Sequence, residues 1–492
     1  MSLNTQELDK ILGKADQAFR IYKKMSLKQR ADFMRTIGEE IMALGDELIK
    51  TAAIETNLPE ARLIGERART VFQLNSYGEA AERGDWLEAR IDTADTAKTP
   101  PKPDLRKMLV PLGPVLVFGA SNFPFAYSTA GGDTACAFAA GCPVVVKAHP
   151  AHQKTSELVA HAILKAVEKC KMPDGIFNHI VEPGNAIGEY LVKHPVIKAV
   201  GFTGSYGGGR ALFDAANQRK VPIPVFAEMG SLNPVFLMPD KLATDAVNTA
   251  KLYAGSITLG MGQFCTNPGL IFGIEGEALD LFKRTLAHEI EQVVPFKMLH
   301  QGIADNFSNK LQLSLEQKEV SILAQSKTEV KTGEGHITVA QVDAVTFLNN
   351  PLLHQEVFGP YSLIISCKNT DQMKAIVAHL EGQLTATVMA TEKDADQYED
   401  LFADIQEICG RFIFNNVPTG VEVCLSMQHG GPFPATTDSR YTSVGADGIK
   451  RFARPVAFQN WPDQFLPKEL QNANPLHIWR TVNNQLSKEA LS

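Results

Sequence analysis

Cys265 stands in the stretch GMGQFCTNPG (260–269), a single thiol among three glycines and a proline. Cysteines kept for packing occupy apolar runs on helices or strands, and this one has neither neighbourhood. A thiolate is the strongest common protein nucleophile near neutral pH. Thirty-seven residues earlier, Glu228 lies in a similar turn, FAEMGSLNP, where a carboxylate can act as a general base. Glycines also let backbone N–H groups approach an oxyanion closely. On the residues alone two readings stand: a nucleophile with its base, or a small buried thiol near a tight turn. None of the twelve histidines is tied to Cys265 by a local motif, so the sequence offers no protease-like Cys–His signature.

A second chemistry is written in GFTGSYGGGRAL (201–212), a strand running into a glycine-rich turn and then a helix. Its amides, around Gly204-Ser205 and Gly207-Gly208-Gly209, suit a diphosphate at a helix N-terminus. The usual dinucleotide fingerprint GxGxxG is absent, and a tight βα connection would use the same glycines. Lys147 ends the apolar run PVVVK, where ligands of parallel sheets lie; an exposed lysine after a strand reads the same way.

The elements that must position these residues follow from periodicity. Residues 5–84 are rich in Ala, Leu, Glu, Lys and Arg at helical spacing, and LKQRADFMRTIGEEIMALGDELIKTAAIET predicts helix. Residues 86–113 carry strand-like stretches and a proline-rich break, which suits a protruding arm. From 114 the chain alternates: strand PVLVFGA, small helical residues over 124–140, strand CPVVVKAHP, then helices and strands in turn to PVFAEMG. Such alternation predicts a parallel sheet covered on both faces. A second alternating region runs from 231 to about 437, and PVAFQNWP (455–462) resembles an edge strand.

The totals agree with an enzyme of this size and exclude other classes. At 492 residues more than one core is expected. A net charge of -7 gives no broad basic surface for nucleic acid. Seven cysteines form no CxxC pair and no Cys/His ligand spacing, so no metal site is expected. The odd count, the charged N-terminus and the lack of a membrane-length apolar run point to a cytoplasmic protein with reduced thiols.

Taken together the motifs resemble the aldehyde dehydrogenase superfamily over essentially the whole chain. SNFPF (121–125), VVVKAHP (144–150), FTGSYGGG (202–209), EMGSLNP (228–234), GQFCTNPG (262–269) and EVFGP (356–360) come in that family's order. The stretches HGGPFPATTDSRYTSVG (429–445) and NPLHIWRTVN (474–483) are similar to the branch oxidising 2,5-dioxopentanoate, or α-ketoglutarate semialdehyde. The resemblance implies an α/β fold of two Rossmann-like parallel domains plus a small oligomerisation arm. Residues 1–85 and 114–230 would bind NAD(P), 231–454 would be catalytic, and 86–113 with 455–492 would form the arm and tail.

The same resemblance implies roles. Cys265 would be the nucleophile, Glu228 the base and Asn122 the oxyanion donor. Lys147 would hold the adenosine ribose and Ser205 a phosphate, with Gly204 and Gly209 as turn glycines. Glu356 would bind the nicotinamide ribose, and Phe358 would lie beside the ring. Candidate substrate contacts are Phe123, Arg69, Arg440 and His429. Many NAD-preferring members carry a glutamate three residues after the ribose lysine; here it is Pro150, which admits NADP as well as NAD, with His149 and Arg210 as candidate cationic helpers. Succinate-semialdehyde members carry an arginine eight residues past the asparagine, where this chain has Ala130. The expected reaction is oxidation of an aldehyde, foremost 2,5-dioxopentanoate, by a homo-oligomer using NADP or NAD. The alternatives are a dehydrogenase of medium or long aliphatic aldehydes and a catalytically silent binding protein of the same fold.

Overall fold

Three sheets organise residues 4–491, the span described by the computed structural model. The first grows from Val115–Phe118, whose valines and leucine are buried on both sides as a central strand requires. The chain adds Val144–Lys147 and Phe177–Ile180 on one side, then returns to add Ala199–Thr203 and Val225–Glu228 on the other. All four pairings are parallel. The reversal leaves a crevice at the carboxyl end of the central strand, where open α/β sheets take their ligands. That end is also where Asn122, Lys147, Gly204 and Glu228 emerge.

Four helices precede this sheet in the chain, Thr5–Tyr22, Leu27–Ala43, Gly45–Thr56 and Glu60–Arg83, and the first of them packs directly on it. The first two open with reciprocal capping boxes, Asn4 with Glu7 and Ser26 with Gln29. The stretch 27–56 divides at Gly45, which turns left-handed at φ 58°. Leu8, Leu12 and Ala15 share one core with Leu116 and Val145, while Phe33 and Ile37 share another with Val115 and Val144.

Residues 124–140 are helical only over Gly132–Ala140. The expectation of helix from 124 is corrected by a buried carboxylate. Glu66 Oε1 accepts from the Phe125 and Ala126 amides, at 2.8 and 3.0 Å, and so holds the segment as a loop.

The second sheet runs Ser321–Gln325, Thr338–Asp343, Tyr361–Cys367, Leu270–Ile274, Val235–Leu237, Gln383–Met389 and Cys409–Phe414. Only its first pair is antiparallel. The third sheet joins Arg90–Asp92 and Leu105–Pro111 to Ala453–Gln459, Arg480–Val482 and Gln485–Ser487 from the C-terminal region. Ala453–Gln459 is one of its two edge strands, as the sequence suggested.

Candidate active site

The loop bearing Cys265 begins with three consecutive left-handed residues, Gly260, Met261 and Gly262, at φ 56°, 57° and 62°. Glycine takes that conformation freely, whereas Met261 stores roughly 1–2 kcal/mol of strain. Gly262 has a second constraint, since a Cβ there would stand 2.2 Å from the Gly359 carbonyl oxygen. The glycines thus shape the loop and let it touch the EVFGP segment backbone to backbone.

Asn233 fixes the far side of this loop. Its Nδ2 donates to the Cys265 and Asn267 carbonyls, both at 2.9 Å. Gln383 Oε1 in turn accepts from the Leu232 and Asn233 amides, at 2.7 and 3.2 Å. Asn122 Nδ2 donates to the Gln263 carbonyl at 3.2 Å, two residues before the thiol. A side-chain amide has two N–H groups, so one of them remains for a ligand.

Glu228 ends its strand buried, 3% exposed, and reaches toward Cys265 from the other half of the molecule. Ser443 Oγ donates to Glu228 Oε2 at 2.8 Å, while Oε1 faces His429. His429 Nε2 lies 3.1 Å from that Oε1 and 3.5 Å from Cys265 Sγ. The stretch 429–445 delivers His429 and Ser443 by running beside the strand Val225–Glu228. There Met229 donates to Ala435 and Ala227 to the Thr437 hydroxyl. His429 was expected at the substrate mouth; at 1% exposure it is instead enclosed between thiol and carboxylate.

Burial pushes the Cys265 thiol well up, and the Glu228 charge pushes it further; the Arg411 guanidinium pulls the other way. Thiol and carboxylate donor atoms lie within 4.8 Å, where two like charges repel by about 3 kcal/mol at an effective dielectric of 20. For Glu228, burial works against ionisation, but the charge and hydrogen bonding of His429 and the Ser443 hydroxyl outweigh it. Its carboxyl is held below the usual range.

The dinucleotide candidates line the rim of the first sheet. Lys147 is buried, its Nζ makes one long contact of 3.4 Å to the Ala148 carbonyl, and burial pushes its ammonium down. Ser205 caps helix Tyr206–Asn217 by accepting from the Gly208 amide at 3.3 Å, and the Gly204 amide donates to the Glu228 carbonyl at 3.0 Å. Gly209 admits no Cβ, which would stand 2.6 Å from Met229 Cγ. Across the cleft Glu356 is pushed up to about 7, chiefly by burial. It sits with Phe358, Ser231 and Asn267 around one small cavity. An under-used lysine, an open helix N-terminus and a carboxylate poised to ionise fit the ribose hydroxyls and diphosphate of a dinucleotide. His149 does not serve as a cation: burial and the nearby His152, His300 and Lys147 push it down to about 3. Arg210 is exposed and engaged with Asp214 at 2.9 Å.

A cavity of about 370 Å³ opens beside Phe264, lined by Arg62, Glu66, Arg69, Phe123 and Phe296 among others. Arg62 lies over the rings of Phe123 and Phe264, 5.1 and 5.0 Å from their centroids, and its Nη2 donates to the Asn122 carbonyl at 2.9 Å. Arg69 donates through Nε to Gln73 at 3.2 Å and lies 5.9 Å over Tyr127. Each arginine keeps one buried nitrogen, Arg62 Nη1 and Arg69 Nη2, without a partner among the described residues. Glu66 spends Oε1 on the loop amides, and burial pushes its carboxyl up. Arg440, the other expected cation, does not line this cavity; its side chain is 78% exposed and bound to Asp438.

Sequence reasoning missed Arg62, Glu66, Asn233, Gln383 and Ser443. Arg62 was within reach, since it stands seven residues before Arg69 on one helix and so shares its face. Asn233 and Ser443 lie inside motifs already singled out, EMGSLNP and 429–445.

Comparison with known proteins establishes the family. The chain is 49% identical over 470 residues to alpha-ketoglutaric semialdehyde dehydrogenase 2 of Azospirillum brasilense, covering 95% of this chain and 89% of the relative. It is 46% identical over 484 residues to alpha-ketoglutaric semialdehyde dehydrogenase of Acinetobacter baylyi, covering 98% and 92%. Among solved structures, glyceraldehyde-3-phosphate dehydrogenase of Methanocaldococcus jannaschii, complexed with NADP, superposes with a TM-score of 0.78 at 18% identity, covering 93% of this chain and 95% of that one. A Thermus 1-pyrroline-5-carboxylate dehydrogenase with bound NAD gives the same TM-score at 19% identity, covering 93% and 86%. The model of the aldehyde dehydrogenase family matches residues 1–440, and the chain belongs to that family.

Proposed function

We propose that the protein oxidises 2,5-dioxopentanoate to 2-oxoglutarate through a thioester on Cys265, with NADP or NAD as acceptor. The observation that carries the substrate is the cavity beside Phe264, which two guanidinium groups, Arg62 and Arg69, border. Cationic side chains along a pocket suit an anionic ligand, which a carboxylate provides through charge-assisted bonds. The names borne by the relatives at 49% and 46% identity support the same substrate.

The Cys265 thiolate attacks the aldehyde carbon, and the free N–H of Asn122 meets the oxyanion that forms. A preorganised donor of this kind is worth about 3–4 kcal/mol. The bound dinucleotide supplies the hydride acceptor that turns the adduct into a thioester. The Glu228 carboxylate, held in place by the Ser443 bond to Oε2 and by His429 beside Oε1, then takes a proton from the hydrolytic water.

Arg69→Ala tests the substrate, because Arg69 does not hold the oxyanion loop as Arg62 does. Losing one charge-assisted bond costs about 1.5–3 kcal/mol, roughly a ten- to hundredfold fall in kcat/KM for the acidic substrate. Pentanal, neutral and of equal length, should change far less. A wild-type preference for hexanal or longer aldehydes over 2,5-dioxopentanoate would replace this reading with the aliphatic one, which the phenylalanine walls favour.

Cofactor choice rests on Pro150, which is exposed three residues after Lys147. A carboxylate there accepts ribose hydroxyls and repels a 2′-phosphate, so Pro150→Glu should lower the ratio of kcat/KM for NADP to that for NAD. An unchanged ratio places the phosphate elsewhere.

The first parallel sheet is read as the dinucleotide half and the second, with the Cys265 loop, as the catalytic half. The third sheet, with exposed Trp461, Phe465 and Trp479 nearby, is read as the surface of homo-oligomer assembly. A cytoplasmic location is supported by seven free cysteines. Among the described residues no helix is long and apolar enough to cross a membrane.

A further inference from the structure

We infer that Glu66 is a positioning residue for the oxyanion step: through the backbone of the loop 121–128 it sets where the Asn122 side-chain amide stands. The inference rests on Asn122 being the oxyanion donor. Between strand Val115–Phe118 and helix Gly132–Ala140 the chain forms no regular element. The buried peptide groups of that stretch therefore need partners from elsewhere.

One helix supplies two of those partners. Glu60–Arg83 carries Arg62 and Glu66 one turn apart on the same face. Arg62 Nη2 donates to the Asn122 carbonyl at 2.9 Å. Glu66 Oε1 accepts from the Phe125 and Ala126 amides, at 2.8 and 3.0 Å. Pro124, between them, has no N–H to offer. The Ala120 amide donates to the Tyr127 carbonyl at 2.9 Å and closes the loop on itself. A loop closed in this way shifts as a unit, so releasing residues 125 and 126 also moves residue 122. At its tip Asn122 Nδ2 has the Gln263 carbonyl at 3.2 Å, a bond too long to hold the second N–H in aim by itself.

The carboxylate matters as well as the shape. Burial pushes the Glu66 carboxyl up, while the two amides and the guanidinium groups of Arg62 and Arg69 pull it down. An ionised oxygen holds N–H donors more tightly than a neutral amide oxygen does. Glutamine keeps an acceptor of similar shape but sets N–H donors near two guanidinium groups, so it loosens the clamp. Alanine removes it. Glu66 also borders the cavity beside Phe264, so an effect on the loop has to be separated from one on the substrate's acid group.

The test is a double-mutant cycle on kcat/KM, with Glu66→Ala and Glu66→Gln made in wild type and in Asn122→Ala, each assayed on 2,5-dioxopentanoate and on pentanal. Glu66→Ala should lower kcat/KM at least about tenfold, by the same factor for both aldehydes, since a small misplacement of a catalytic donor costs that much. Glu66→Gln should lower it by less. In the Asn122→Ala background each change should cost less than about twofold, because the group being positioned is gone. Iodoacetamide alkylation of Cys265 forms no oxyanion, so its rate should stay within about twofold of wild type. Melting temperature and dinucleotide binding report folding, and Glu66→Gln carries the comparison if alanine unfolds the chain. An unchanged kcat/KM in both variants, an equal factor lost with and without Asn122, or a loss confined to the acidic aldehyde would overturn the inference. Wild-type activity in Asn122→Ala would instead overturn Asn122 as the oxyanion donor.

Discussion

Cys265→Ser is expected to lower the rate of aldehyde oxidation by at least about three orders of magnitude while dinucleotide binding, read by quenching of tryptophan fluorescence, stays intact. A serine hydroxyl in this pocket is a far weaker nucleophile than a thiolate, and removing a nucleophile outright typically costs that much or more. The loop itself should survive the change. Its shape comes from Gly260, Gly262 and the Asn233 bonds to the Cys265 and Asn267 carbonyls, none of which involves sulfur. Retention of more than a small fraction of wild-type turnover would remove Cys265 from the chemistry and take the thioester with it.

Glu228→Gln should split the reaction in two. The amide keeps the shape and a partner for Ser443, but it takes no proton from water. Thioester hydrolysis should therefore slow by about a hundred- to ten-thousandfold, the usual worth of a general base. Rapid mixing should show a burst of reduced cofactor of about one equivalent per site, followed by a slow steady state. With the carboxylate charge gone, the thiol loses one of the influences that push it up. The burst itself should therefore persist. Equal losses of burst and steady state would assign Glu228 chiefly to the thiol.

Much of the fold was legible because buried parallel strands announce themselves. PVLVFGA and CPVVVKAHP could hardly be anything but central strands, and both pair in the first sheet. The segment 124–131 was misread as helix because its small residues carry no sign of the Glu66 carboxylate that captures their amides. Glu66 is distant in sequence and looks like any acid on a helix. The meeting of His429 with Cys265 and Glu228 was illegible for the same reason. A separation of 164 residues leaves no local spacing to read, and only the strand-side run of 429–445 closes it. Arg440 looked as promising as Arg69 from sequence. What separates them is Asp438, two residues away, whose oxygens bind Arg440 at the surface.

Arg62 has the widest consequence for how this enzyme can change. Its guanidinium rests on Phe123 and Phe264, one from the asparagine loop and one adjoining the thiol, and its Nη2 steadies the Asn122 carbonyl. Selection for a new aldehyde that discards this cation would therefore disturb Asn122, the proposed oxyanion donor, in the same stroke. Substrate choice and turnover are not separate dials here. Arg69, which touches neither the asparagine nor the cysteine loop through a hydrogen bond, is the cheaper place for preference to drift, and descendants with altered substrates should have lost Arg69 before Arg62.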